Sequence, residues 1–117
     1  MGEPITLVLP YPPSANRLWR NMRGIMVKSQ EARDYALQVA CEARRAGLRR
    51  LSEPVSVRME FYRPRQAGDL DNRIKAVLDG LQGVAFDNDS QVVEIYARRK
   101  DDPKHPRVEV IIEKIAA

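Results

Sequence analysis

The sequence predicts an α+β domain, a small mixed β-sheet with two helices packed on it, in the order β-α-β-α-β-β. Three observations carry this. Apolar residues recur at every second position over four short stretches, the period of a strand with one buried face. Two longer stretches repeat their apolar residues every three to four positions, the period of an amphipathic helix. Prolines cluster at the boundaries: Pro10, Pro12 and Pro13 after the first strand, Pro54 before the second, Pro103 and Pro106 before the last.

The first strand is predicted at residues 4–9, where Ile5, Leu7 and Leu9 alternate. A stiff extended loop, PYPPSANR, follows. Residues 17–28 are basic around Trp19 and Gly24 and read as a loop or ribbon. Ser29 can cap a helix over 30–46, with Glu31 in its first turn and Ala32, Tyr35, Ala36, Val39 and Ala43 on one face. Gly47 is a stop signal. The next strand runs from Val55 to Tyr62, with Val55, Val57, Met59 and Phe61 on one side. The second helix is predicted at 70–82, with Leu70, Ile74, Val77, Leu78 and Leu81 as its stripe and Gly83 as its stop. A turn at 84–90 leads to a strand at 91–99. The turn DDPKHP leads to the last strand at 107–115, so the last two are expected to form a hairpin.

At 117 residues, with no repeat or linker, the chain reads as a single domain over 1–117. Its few aromatic residues, 6%, leave an aliphatic core that a dimer interface would reinforce. One cysteine, Cys41, excludes an internal disulfide framework, and one histidine, His105, argues against His-based triads and zinc sites. No apolar run is long enough to span a membrane, and the N-terminus lacks the basic start of a signal peptide. The cytoplasm is the expected compartment.

Charge is unevenly spread. The chain carries 20 Lys and Arg against 16 Asp and Glu, a net of +4. The first 50 residues are strongly basic, yet Asp69, Asp71, Asp79, Asp87 and Asp89 crowd one short window opposed by Arg73 and Lys75 alone. The basic remainder suits a polyanion. The carboxylates would repel that polyanion unless a cation sat between them; the plainer reading is a solvated acidic face.

The window reads GDLDNRIKAVLDGLQGVAFDNDSQVV. Asp69 falls where it can cap the second helix, and Asp71 lies in its first turn, next to the partly positive helix end. Asp71, Lys75 and Asp79, four apart, share a helix face. Three or four carboxylates and a lysine fit Mg²⁺, or Mn²⁺ in its place, which prefer hard oxygen ligands. Such a site suits phosphodiester hydrolysis, with Lys75 orienting water or stabilising developing charge. This requires the turn holding Asp87 and Asp89 to come back to the helix N-terminus. Taken singly, each residue has a plainer role: a cap for Asp69, a surface pair for Asp71 and Lys75, a turn for Asp87 and Asp89.

The run D-L-D-N-x-x-K-x-x-x-D-x-L from Asp69 to Leu81, the segment from Asp89 to Val93, and L-P-Y-P-P-S-A-N-R from Leu9 to Arg17 together resemble the RusA family of Holliday-junction resolvases. Three separated segments agree in order and spacing. The resemblance implies a homodimeric, Mg²⁺-dependent endodeoxyribonuclease that nicks four-way DNA junctions symmetrically. It places acidic metal ligands at Asp69, Asp71 and Asp89 and the essential lysine at Lys75. Where the family commonly has two adjacent acidic residues before Gln-Val-Val, this chain has Asn88 and Asp89, so Asp87 stands as a further candidate ligand. The two-fold symmetry of a four-way junction matches a C2 dimer with one site per subunit.

Arg17, Arg20, Arg23 and Lys28 of the basic ribbon, and Arg63 and Arg65 just before the acidic window, are the candidate DNA contacts. Trp19 is a candidate wedge at the branch point, or an interface anchor. Asn16 and Asn72 are candidate supports through hydrogen bonds. The rival readings are a junction- or nucleic-acid-binding protein without catalysis, and a metal nuclease acting on flaps, forks or RNA.

Overall fold

The computed structural model describes residues 4–14, 17–65 and 69–115. Six strands and two helices follow in the order β1 (Ile5–Pro10), β2 (Trp19–Met22), β3 (Ile25–Lys28), α1 (Gln30–Arg45), β4 (Val55–Arg63), α2 (Leu70–Leu81), β5 (Val92–Asp101) and β6 (Arg107–Lys114). Set apart from the β2–β3 pair, the elements keep the predicted β-α-β-α-β-β order.

Four strands form one mixed sheet in the order β1-β6-β4-β5. β5 runs parallel to β4, as a strand reached through a helical crossover does, while β6 is antiparallel to both β4 and β1. The expected hairpin of the last two strands is therefore corrected: β4 lies between them. β6 carries Val108, Val110 and Ile112, all buried, and fits as a central strand between the apolar faces of β1 and β4. The turn after β5 carries the chain past the end of β4. Asp102 N–H donates to the Arg63 carbonyl there, and Arg107 ties the turn by donating to the Asp102 carboxylate at 3.0 Å and the His105 carbonyl at 2.9 Å.

Leu7 and Leu9 of β1, Val55, Val57, Met59 and Phe61 of β4, and the three β6 residues form the sheet's share of the core. Tyr35 and Val39 of α1, and Val77 and Leu81 of α2, close over it. Tyr35 is held by its hydroxyl, which donates to the Pro10 carbonyl at 2.9 Å; burial raises the pKa of its phenol. α1 and α2 touch each other at Gly80, where an added Cβ would lie 3.2 Å from Val39 Cγ2. The predicted stripe faces the core: Val77 and Leu81 lie in it, and Leu70, Ile74 and Leu78 pack against it. Ala76, Val77, Gly80 and Leu81 are buried, while Ile74 and Leu78 are only half-buried.

Ser29 caps α1 as predicted, accepting from Ala32 N–H at 3.1 Å. Its hydroxyl also donates to the Arg17 carbonyl, which fastens the helix start to the preceding segment. That segment is a hairpin: β2 and β3 pair from Trp19–Lys28 to Met22–Ile25 around a two-residue turn. Arg23 and Gly24 both have positive φ, 56° and 82°, the pattern of a type I′ turn. Among the described residues no helix is long and apolar enough to cross a membrane.

Candidate active site

Asp69 is the last residue before α2, in extended conformation (φ −93°, ψ 144°), and its side chain makes no capping hydrogen bond to the helix. It borders a narrow cleft with Tyr11, Phe61, Arg63, Leu70, Arg73 and Arg99. Asp71, one residue into α2, is exposed and accepts from the Asn72 N–H at 3.0 Å. The donor is the Asn72 backbone, which does not depend on the asparagine side chain. Both carboxylates stand at the helix N-terminus, where the aligned backbone dipoles favour negative charge.

Lys75 follows Asp71 by one helical turn and is exposed. Its Nζ lies 3.7 Å from Asp79 Oδ1, a loose ion pair along the same face.

The second acidic turn lies elsewhere. Asp87 and Asp89 follow the C-terminal end of α2, and a 12-residue helix is about 18 Å long. The sheet register points the same way. Asp89 precedes Val92, which pairs with Val55 at one end of β4, whereas Asp69 shares its cleft with Arg63 at the other end. The expected return of this turn to the helix N-terminus is therefore corrected: within one chain it stays at the far end. Among the described residues no group of three metal-ligating side chains gathers.

Local hydrogen bonds explain why the turn stays there. Asn88 caps a single 3₁₀ turn over Asp89–Gln91, accepting from Ser90 N–H at 2.9 Å. Gln91 answers by accepting from Asn88 N–H at 2.8 Å, and its amide donates to the Leu51 and Glu53 carbonyls. The Gln82 side chain at the end of α2 accepts from Asp89 N–H at 3.2 Å. The Asp89 side chain is left exposed. Asp87 is bound otherwise, with Oδ1 2.9 Å from Arg50 Nε.

The predicted DNA contacts divide. Arg63 is mostly covered and pairs with Asp101 at 2.9 Å. Arg17 and Arg65 line a cleft of about 370 Å³ with Pro13, Ser14, Glu31 and Arg73, and Arg17 stands 3.9 Å from Glu31. Arg20, Arg23 and Lys28 are exposed on the β2–β3 hairpin, as is Trp19. Asn16 lies outside the described residues.

Sequence reasoning missed Arg73. It stacks over the Tyr11 ring at 5.1 Å, donates from Nη1 to the Pro12 carbonyl at 2.8 Å, and buries an Nε with no partner. It joins the Asp69 cleft to the Arg17–Arg65 cleft. The available signal was its position one helical turn after Asp69. Arg99 was missed for a different reason: only the pairing of β5 with β4 brings it beside Phe61 and the cleft.

A small basic α+β domain, with two carboxylates opening a helix beside several arginines, has the charge layout of a protein that handles a polyanion. Comparison with known proteins makes this specific. Residues 10–113 match the family described as endodeoxyribonuclease RusA, and the chain belongs to that family. It is 37% identical over 110 residues to the crossover junction endodeoxyribonuclease RusA of Escherichia coli (strain K12), covering 92% of each chain. The protein of that name from Shigella sonnei (strain Ss046) is 36% identical over 110 residues, again 92% of each. The one from Enterobacteria phage 82 is 37% identical over 109 residues, 91% of each.

Proposed function

We propose that this chain is a divalent-metal-dependent endodeoxyribonuclease that resolves four-way DNA junctions as a homodimer. Its membership of the RusA family, with relatives named crossover junction endodeoxyribonucleases, carries the reading. Asp69 and Asp71 supply two carboxylates at one helix end, hard oxygen donors suited to Mg²⁺ or Mn²⁺. The third carboxylate, Asp89, is too far along the same chain to join them. In a two-fold dimer the partner's Asp89 would complete each set, so one copy alone would lack a full site.

When bound, the cation would lower the pKa of a water and neutralise the scissile phosphate. The chain's own residues do the rest. Lys75, one turn from Asp71, sits where it can stabilise the charge that develops on the phosphoryl oxygens. Arg17, Arg65 and Arg73 hold a neighbouring phosphate and so fix the strand beside Asp69. In the step itself, a water oxygen bonds to phosphorus and the P–O bond to the leaving sugar oxygen breaks. The water's proton leaves through an aspartate or solvent.

Cleavage of a mobile four-way junction at low salt tests this, with wild type and Asp71→Asn compared with and without Mg²⁺. Paired symmetric nicks that require both the metal and Asp71 are expected. Tight junction binding with no nicks in Mg²⁺ or Mn²⁺ would instead make the chain a binding protein, and preferential cutting of flaps or RNA would assign another substrate.

A further inference from the structure

We propose that the β2–β3 hairpin is an arm that enters the branch point of a DNA junction and lays its apolar rung, Met22 and Ile25, against an unstacked base pair there. The proposal rests on the reading of the chain as a junction endonuclease and goes beyond it by naming the element that opens the branch.

The arm is fixed at its base and bare beyond it. Leu18 is buried with Ala32 and Ala76, Ser29 N–H donates to the Leu18 carbonyl at 2.9 Å, and the Ser29 hydroxyl donates to the Arg17 carbonyl. From Trp19 to Lys28 every residue is exposed except the half-buried Val27. The hairpin forms a two-stranded sheet of its own, apart from the main one. A lone two-stranded ribbon is marginal in water, so a bare one is completed by what it binds.

The tip is apolar. Met22 and Ile25 form the last pair before the turn and are 58% and 66% exposed; Met26, next along β3, is 59% exposed. The turn is tied, since Asn21 Oδ1 accepts from Gly24 N–H at 2.9 Å. Arg23 holds a φ of 56°, a region that a side chain enters at a cost, and a type I′ turn favours Asn, Asp or Gly in that place. A cation thus stands at the tip against the preference of the backbone.

Charge chooses the occupant. Residues 17–28 hold Arg17, Arg20, Arg23 and Lys28 and no acidic residue, so the apolar rung rides on a cationic stem. DNA matches this pattern, an apolar stack of bases behind a row of phosphates. The arm also continues the phosphate path of the candidate site. Arg17 lines the cleft it shares with Arg65 and Arg73, and a second cleft, of about 520 Å³, with Trp19, Arg20 and Asn21. Three residue steps from the base of the arm to its last rung span about 10 Å, against a major-groove depth of about 8.5 Å, so the rung reaches past the phosphates to the bases. Methionine and isoleucine are among the side chains that unstack a base step on insertion. A branch point, where stacking is already interrupted, costs least to open.

The test uses a four-way junction with 2-aminopurine beside the branch point, and a linear duplex of the same sequence, before Mg²⁺ is added. Wild type should raise the fluorescence of the junction probe several-fold and leave that of the duplex unchanged. The double variant Met22→Ser, Ile25→Ser should lose more than half of that rise and bind the junction about tenfold more weakly. Its duplex affinity and its salt slope should stay at wild-type values, because no cation is removed. Leu37→Ser, which removes an equally exposed apolar side chain from α1, should change none of these. Arg23→Gly, which relieves the backbone, should melt no lower than wild type and yet lower the salt slope by about 0.9. A double variant with the wild-type fluorescence rise and junction affinity would overturn the wedge and leave the endonuclease reading standing. Equal losses on junction and duplex would overturn it too, since the rung would then only shape the arm. A double variant that binds the junction normally but sediments as a smaller species would make the tip a contact between copies and overturn it as well. A wild-type protein that neither binds nor nicks the junction would overturn both readings.

Discussion

Asp87 Oδ1 lies 2.9 Å from Arg50 Nε, so this carboxylate is bound to the loop after α1. Asp89, two residues on, has an exposed side chain, and its engaged groups are on the backbone: its N–H donates to the Gln82 side chain and its carbonyl accepts from the Val92 N–H. The two acidic residues of one turn therefore have different tasks. Asp87→Asn should retain junction nicking and lose at most about 1 kcal/mol of stability, the range of exposed ion pairs. Asp89→Asn should abolish nicking while binding persists. A nicking assay beside a urea melt separates the two, and a dead Asp87→Asn enzyme of normal stability would reverse the assignment.

Gly80 of α2 packs closely against α1. An added methyl would press on Val39 Cγ2 at 3.2 Å and on the Tyr35 ring at 3.4 Å. Gly80→Val should destabilise the fold by about 1–3 kcal/mol through overpacking. Gly80→Ala should change it less, because the gain in helix propensity, about 1 kcal/mol, offsets the tighter contact. Thermal melts of the two variants check the order.

Arg17 and Arg65 line the cleft that Arg73 joins to Asp69. If each holds one phosphate, Arg17→Ala and Arg65→Ala should each lower junction affinity across all sequences. Each should also reduce the slope of log K against log salt by about 0.9. Anisotropy titrations over a salt series read this directly. An unchanged slope in both variants would remove the cleft from the DNA path.

Two carboxylates tie charges across the sheet and the turn after β5. The hydrogen bond from Arg98 holds the Glu60 pKa below the usual carboxylate range, and that from Arg107 does the same for Asp102. A depressed folded pKa means stability that is present above the unfolded value and lost as pH falls through the folded one. Stability should therefore decline on acidification below about pH 4. Glu60→Gln should flatten part of that decline, as measured by urea midpoints between neutral and acid pH. An identical acid profile would show that Glu60 contributes nothing to it.

Much of the fold was legible because its signals are local. Ser29 caps α1, and the alternation from Val55 to Phe61 marks a fully buried strand face, whereas the basic stretch read as a loop or ribbon is a hairpin turned at Arg23–Gly24. The sheet order was not legible. Whether β6 pairs with β5 or enters between β1 and β4 depends on which edges are free once the crossover through α2 is made. The site divides in the same way. Helical spacing puts Asp71, Lys75 and Asp79 on one face, a short-range fact readable from the sequence. The place of Asp89 depends on the length of α2 and on the hydrogen bonds of Asn88 and Gln91, and adjacency in the motif gave the wrong expectation.

The most direct test of the account mixes two inactive proteins. Asp71→Asn and Asp89→Asn are each prepared alone, differently tagged, then allowed to exchange subunits. If each site takes Asp69 and Asp71 from one copy and Asp89 from the other, every heterodimer holds one intact site. Random exchange then restores about a quarter of wild-type sites. The account predicts Mg²⁺-dependent single nicks that appear only on mixing. Heterodimers recovered through both tags that remain unable to nick the junction would contradict it.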